Sequence, residues 1–168
     1  MPHKILFVCT GNICRSPTAE GVARGLAHKL NAAHLFEFDS AGTHGYHVGD
    51  PPDPRTIAAA RRRGYDLSSL RARRVTEFDF IRFDLLLAMD GEHLEFLRRA
   101  CPRPHLHKLG LLLDYSERFD HDEVPDPYYG DAQGFELVLD LVEDAAIELI
   151  RRLTTRHRDS FPGVPHGA

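Results

Sequence analysis

The sequence predicts an α/β domain in three layers, with a small parallel sheet between helices. Three observations carry that expectation. Short apolar runs, too short for a helix with its own buried face, recur along the chain and end at glycine or other turn residues. Segments of helical periodicity separate them, and strands joined through helices pair in parallel with right-handed crossovers. The chain has 168 residues, 42% of them hydrophobic, which suits one domain with a sizeable core.

The elements follow in order. Ile5, Leu6, Phe7 and Val8 form a continuous apolar run that ends at Cys9 and a glycine turn, the pattern of a central strand. Ser16 offers an N-cap and Pro17 a first-turn proline to a helix marked by Ala19, Val22, Ala23, Leu26 and Leu30. LFEFDSAG (35–42) reads as the second strand. GYHVGDPPDP (45–54) is too rich in glycine and proline for a regular element and predicts a long functional loop. Asp53 and Pro54 open a second helix that runs through IAAARRR and stops at Gly64. LLLAMD (85–90) is a third strand, a helix covers about 91–99, and HLHKL (105–109) is a weaker fourth strand. LLLDYSERFDHDEVPDPYYGD (111–131) is mostly loop, and Phe135, Val138, Leu139, Val142, Ala146, Leu149, Ile150 and Leu153 mark the last helix. The polar stretch from about Thr155 is expected to fray, leaving residues 1–155 as the domain and 156–168 as a flexible tail.

Composition narrows the function. A net charge of −4 argues against a nucleic-acid partner. The longest apolar stretches fall short of the ~20 residues that span a bilayer, and MPHKILFV lacks a signal-length apolar region with a small-residue cleavage site. A cytoplasmic protein without a membrane partner is therefore expected. Three cysteines, an odd number, do not make a disulfide framework, so thiol reactivity becomes the property of interest.

That interest centres on VCTGNICRSPTAEGV (8–22). In parallel sheets ligands bind beyond the carboxyl ends of the strands, where Cys9 stands. The turn through Gly11 and Asn12 leads into a helix whose first N–H groups lack intrahelical partners, which makes a cradle for a phosphate. Arg15 adds a bidentate pair of charged donors, and the same positive surroundings favour a thiolate at Cys9. Nucleophile and anion site coincide, and the chemistry they imply is attack on a bound phosphate. Pro127 biases Asp126 toward an extended conformation that aims its carboxylate, while Tyr128 and Tyr129 offer aromatic walls.

C-T-G-N-I-C-R-S at the amino terminus and D-P-Y-Y-G-D late in the chain resemble the low-molecular-weight protein tyrosine phosphatase family. The match extends through S-A-G-T, G-x-P-P-D-x-R, A-M-D and the last helix, over about residues 4–153. The resemblance implies a four-stranded parallel sheet flanked by helices, the phosphotyrosine phosphatase I-like fold. It implies Cys9 as nucleophile, Arg15 as phosphate clamp and Asp126 as general acid and then base. Thr10, Gly11, Asn12, Ile13, Cys14 and Ser16 would complete the phosphate loop, with Asn12 and Ser16 holding the loop and the thiolate, and Tyr46 would be the wall opposite Tyr128 and Tyr129. A phosphotyrosine protein is the implied substrate, a tyrosine kinase acting on Tyr128 or Tyr129 a further partner, and neither a cofactor nor a metal is required. One departure stands out: many relatives brace the loop asparagine with a histidine after the second helix, whereas DLSSLRARRV has Ser68, Ser69 and Leu70 there, and a serine is the expected replacement.

Plainer roles compete for several residues. Cys14 is either packing or a redox partner that captures an oxidised Cys9. Arg61 to Arg63 and Arg71, Arg73 and Arg74 read as solvated charges, the second run with a leaning toward acidic substrates. Met89 and Asp90 read as a strand end and helix cap, and His105 with His107 lacks a third ligand for zinc. Rival functions are a phosphoarginine phosphatase, in which relatives carry Thr where Ile13 stands, and an arsenate reductase, whose disulfide relay would need a partner that Cys101 lacks. A non-catalytic phosphotyrosine-binding module is the third, and binding alone would need neither Cys9 nor Asp126.

Overall fold

The structure is a computed structural model that describes residues 1–160, with the side chains of residues 1–157. The strands are β1 (His3–Cys9), β2 (Phe36–Gly42), β3 (Leu85–Ala88) and β4 (Leu109–Leu111). The helices are α1 (Arg15–Lys29), α2 (Pro54–Arg62), α3 (Glu77–Arg82), α4 (Gly91–Ala100) and α5 (Ala132–Ser160). All four strands run parallel in the order β2-β1-β3-β4. The chain therefore moves outward from β1 first to one side and then to the other, and the crevice where it reverses opens at the carboxyl end of β1. Cys9, the last residue of that strand and paired with Gly42, stands at this crevice.

Successive side chains of a strand point to opposite faces, and here both faces are covered, which is why β1 reads as an unbroken apolar run. Ile5 and Phe7 pack on the side of α1 and α5, with Val22, Leu26, Leu139 and Val142. Leu6 and Val8 pack on the other side, against Phe80 and Phe83 of the α3 region and Leu94 and Leu97 of α4. Ile5 to Val8 are wholly buried.

Several expectations need correction. Ser16 does not cap α1; the capping position is Cys14, without a side-chain hydrogen bond, because the Ser16 hydroxyl faces Cys9 instead. HLHKL is not a strand: Arg103–Lys108 is a 3-10 turn, where Pro102 and Pro104 fix φ and withhold N–H donors, and pairing with β3 starts only at Leu109. The short helix α3 escaped prediction because its Phe78 and Ile81 are exposed, so its six residues show no amphipathic pattern. The Thr76 N–H bound to the Asp79 carboxylate at 2.7 Å sets its start. The last helix continues past Thr155 to Ser160, and the remainder of the expected tail, 161–168, lies outside the described residues. Arg63 is not a free surface charge; it meets Glu136, Asp140 and Glu143 at 2.7–2.9 Å, three residues on one face of α5, and ties α2 to it. No described helix is long and apolar enough to cross a membrane.

The segment after α2 crosses α1 where α1 has glycines. A methyl group on Gly21 would stand 2.0 Å from Leu67 Cδ2, and one on Gly25 would stand 2.8 Å from the Tyr65 ring. Glycine inside a helix ordinarily costs about 1 kcal/mol relative to alanine. The order reverses for Gly21→Ala, which should destabilise by about 1–3 kcal/mol through overpacking against the wholly buried Leu67. A urea midpoint equal to or above that of the unmodified protein would show that Leu67 yields without cost.

Candidate functional site

The loop from β1 to α1 is organised by Asn12, which is buried and has φ of 60°, a left-handed conformation unusual for a residue with a side chain. Its Nδ2 donates to Ser16 Oγ at 2.8 Å and to Ser40 Oγ at 2.9 Å, and its Oδ1 accepts the Arg73 N–H at 3.0 Å. Ser40 Oγ donates in turn to Glu20 Oε1 at 2.7 Å, and Arg24 pairs with the other carboxylate oxygen of Glu20. Burial raises the Glu20 pKa, opposed by the Ser40 hydrogen bond and the Arg24 charge. The far end of this chain is the thiol, because Ser16 Oγ lies 2.9 Å from Cys9 Sγ.

The brace for Asn12 thus comes from Ser40 on β2 and from the Arg73 backbone, not from Ser68, whose hydroxyl closes a local turn on Asp66 at 2.6 Å. Arg73 is no solvated charge. Its guanidinium reaches Asp79 at 3.0 Å and Asp39 at 3.1 Å, which fixes the backbone that donates to Asn12. Arg71 donates to the carbonyls of Ser68 and Leu70.

Arg15 is buried, and its guanidinium is fully engaged at one end. Nη1 donates to Asp90 Oδ2 at 2.8 Å and to the Val124 carbonyl at 3.1 Å. Nη2 lies 3.4 Å from Thr10 Oγ1, 3.4 Å from His93 Nε2 and 3.8 Å from Asp126 Oδ2. Asp90 is therefore more than the helix cap expected of it: Oδ1 accepts the His93 N–H at 3.0 Å, and Oδ2 holds Arg15. His93 is the residue that sequence reasoning missed most completely. Its Nε2 is 2.6 Å from Thr10 Oγ1, and its Nδ1 is 3.0 Å from Asp90 Oδ1 without the alignment of a hydrogen bond. Burial first, and then the Arg15 charge, push its pKa down to about 4, so the ring is neutral at neutral pH.

Asp126 is half exposed on the loop before α5, and its Oδ1 accepts the Tyr128 N–H at 3.0 Å. Arg55 pins this loop from α2: held by Asp53 at 2.8 Å, it donates to the Tyr128 carbonyl at 3.0 Å, and its guanidinium lies 5.4 Å from the Tyr128 ring centre. Arg55 fell within the motif G-x-P-P-D-x-R, but its contact with a loop 73 residues away left no signal in the sequence.

A cavity of about 380 Å³ gathers these parts. Every expected site residue lines it except Asn12 and Ser16, which lie beneath as supports. Tyr46 and Tyr129 project into solvent at its mouth, and His44 and His47, which were not anticipated, complete the rim. The Cys14 thiol is buried and pushed up to about 12 by desolvation. A larger open groove, about 540 Å³, lies along β2 between Arg24 and Arg82 and holds no cysteine. Among the described residues no group of three or more His, Cys, Asp or Glu side chains is placed to hold a metal ion.

Comparison with known proteins follows the same lines. The family model described as low molecular weight phosphotyrosine protein phosphatase matches residues 4–159. A low molecular weight protein-tyrosine-phosphatase of Streptomyces coelicolor is 44% identical over 153 residues, covering 89% of this chain and 93% of the relative. A crystal structure of a protein tyrosine phosphatase from Entamoeba histolytica superposes with a TM-score of 0.89 at 39% identity, covering 92% of this chain and 99% of that one. Bacillus subtilis YfkJ superposes with a TM-score of 0.87 at 38% identity, covering 93% and 97%.

The lowered pKa of His93 has a definite sign for stability. Between about 4 and the ordinary value of 6.5 the unfolded chain binds a proton at this ring and the folded one does not, so the contribution is complete above 6.5 and is lost as pH falls toward 4. Its size is about 3 kcal/mol. Urea unfolding at several pH values should show a drop of that order over this window that His93→Asn lacks; parallel profiles for the two proteins would mean that His93 is protonated in the fold.

Proposed function

Since this chain belongs to the low molecular weight phosphotyrosine protein phosphatase family and is a protein-tyrosine phosphatase, we propose that it hydrolyses phosphotyrosine through a phosphocysteine formed on Cys9, with Asp126 as acid and then base. The observation that supports this most directly is the meeting of Cys9, Arg15 and Asp126 in one cavity, with the Asp126 carboxylate 3.8 Å from the Arg15 guanidinium.

In the first half-reaction the Cys9 sulfur forms a bond to phosphorus while the bond to the phenolic oxygen breaks, and Asp126 gives its proton to that oxygen. A phenol has a pKa near ~10, so expelling an unprotonated phenolate would be slow. In the second, Asp126 takes a proton from a water whose oxygen bonds to phosphorus, and the S–P bond breaks to release inorganic phosphate and the thiolate. The Ser16 hydroxyl, 2.9 Å from the sulfur, stabilises the thiolate as it leaves. The transition state spreads negative charge over the equatorial phosphoryl oxygens. The loop amides and the Arg15 charge meet that charge without reorganising, because Asp90 and Val124 already hold the guanidinium in place.

The pocket favours a flat ring on a long stem. Tyr46, Tyr128 and Tyr129 wall it, and Ile13 contributes an apolar contact beside Cys14. A phosphoserine stem would be too short to reach the loop from the mouth. The guanidinium of phosphoarginine would lie with nitrogens unpaired against Ile13, at a cost of about 1–3 kcal/mol. For Cys14 the reading that its environment supports is packing, since a thiol pushed up to about 12 is a poor nucleophile at neutral pH.

Cys9→Ser should abolish turnover of phosphotyrosine peptides while a phosphate analogue still binds, because a serine hydroxyl is hardly ionised near neutral pH. Asp126→Ala should lower kcat by about 10²–10⁴-fold on phenolic esters and by less as the leaving group improves. A loss independent of the leaving group would contradict the acid role, and phosphoarginine peptides turned over as well as phosphotyrosine ones would move the activity to that substrate.

A further inference from the structure

We propose that His44 and His47 form an anion subsite at the mouth of the catalytic pocket, which selects phosphotyrosine substrates carrying an acidic group, a carboxylate or a second phosphate, on the residue beside the phosphotyrosine. The proposal rests on the phosphotyrosine reading above and assigns that site a substrate class.

Both imidazoles line the cavity that holds Cys9 and Arg15. They sit directly on the phosphate loop: a methyl group on Gly11 would meet His47 Cδ2 at 3.0 Å and His44 Cε1 at 3.5 Å. The two ring centres are 6.5 Å apart, and the His44 ring centre is 4.5 Å from that of Tyr46. A phenyl ring lying against Tyr46 therefore brings the next residue of its peptide, whose Cα is only about 3.8 Å along the chain, past the imidazoles.

Charge decides what that residue should be. Among the residues lining the cavity, Arg15, His44 and His47 are those able to carry positive charge, and Arg15 is already shared between Asp90 and the phosphate it is placed to clamp. The adjoining cleft on the far side of Arg15, about 480 Å³, sets four carboxylates, Asp90, Glu92, Glu123 and Asp126, against the one imidazole of His121, a balance that would repel an acidic neighbour. An anion beside the phosphotyrosine is thus steered to the histidine side.

The two rings have different duties. The Tyr46 N–H donates to His44 Nδ1 at 3.4 Å, which places the proton of the neutral ring on Nε2 and makes it a donor even without charge. His47 Nδ1 faces Asp50 Oδ2 at 3.4 Å, while its Cδ2–Nε2 edge faces Gly11. With Nδ1 turned to Asp50, His47 is left to offer Nε2–H to the ligand, and a doubly protonated ring adds a positive charge. The titratable and charged groups that face this pair are Asp50 on their own loop and Arg74 against Gly45. Cys9 and Arg15 face it from the phosphate loop, and Asp126, Tyr128 and Tyr129 from the loop before α5.

The test compares otherwise identical phosphotyrosine peptides with Glu, Ala, Lys or a second phosphotyrosine at the adjacent position. The unmodified protein should favour Glu over Ala in kcat/KM by about 3- to 5-fold, chiefly through KM. Lys should be disfavoured, and a second phosphotyrosine that outperforms Glu would identify phosphate as the preferred anion. His47→Ala and His44→Ala should each lower the Glu-to-Ala ratio. The same ratio read as Kd on the Cys9→Ser protein reports the subsite without catalysis. A ratio within about 2-fold of unity, or one that survives both histidine substitutions, would overturn the subsite. Absent turnover with the Kd ratio intact would instead fault the catalytic reading and leave the subsite standing.

Discussion

The site depends on one constraint, the left-handed backbone of Asn12. A non-glycine residue in that conformation costs roughly 1–2 kcal/mol, while each buried hydrogen bond returns about 0.5–1.5 kcal/mol, so three bonds to the Asn12 side chain suffice to hold it. Those bonds come from three different places in the fold. Ser16 belongs to the first turn of α1, Ser40 to β2, and Arg73 to the segment after α2. The loop from β1 to α1 therefore takes its shape only when the sheet and both neighbouring segments are assembled. The ion pairs of Arg73 with Asp39 and Asp79 extend the same support outward to β2 and α3.

A second level of order concerns charge. Burying the Arg15 guanidinium is unfavourable unless its donors are met, and Asp90, the Val124 carbonyl and Thr10 meet them. A cationic His93 beside that guanidinium would add repulsion in a place with little water to screen it. Its neutrality leaves Arg15 as the positive charge at the base of the pocket, at the proposed phosphate site, rather than one of two adjacent cations. Arg55 works on the opposite side, holding the Tyr128 carbonyl and so the loop that carries Asp126. The proposed nucleophile and the proposed acid are thereby anchored through separate networks that meet across one cavity.

Local chemistry was legible in the sequence. Cys9, Gly11, Asn12 and Arg15 fall within seven residues, and the alternation of apolar runs with helical periods gave the parallel sheet and its crevice. The partners of those residues were not legible, because nothing in periodicity reports a contact 61 residues away between Arg73 and Asn12 or 78 residues away between His93 and Arg15. Ser16 was read as a cap because serine before proline usually is one, yet the nearby thiol claims its hydroxyl. HLHKL resembles a short strand in composition, yet Pro102 and Pro104 just before it favour the 3-10 turn that the chain adopts, and sheet pairing begins only at Leu109. Arg63 and Arg73 looked solvated because charges in runs commonly are, and only the tertiary fold sets carboxylates against them.

The central claim is that phosphate passes through Cys9, and the most direct measurement is to trap it there. Asp126→Ala protein mixed with an aryl phosphate bearing a good leaving group and quenched within a single turnover should carry one phosphoryl group, because thiol attack proceeds without the acid while hydrolysis of the intermediate lacks its base. Peptide mapping of the quenched protein should find that group on the sulfur of Cys9. A phosphoryl group on another side chain, or product released in that turnover with none bound to the protein, would contradict the account.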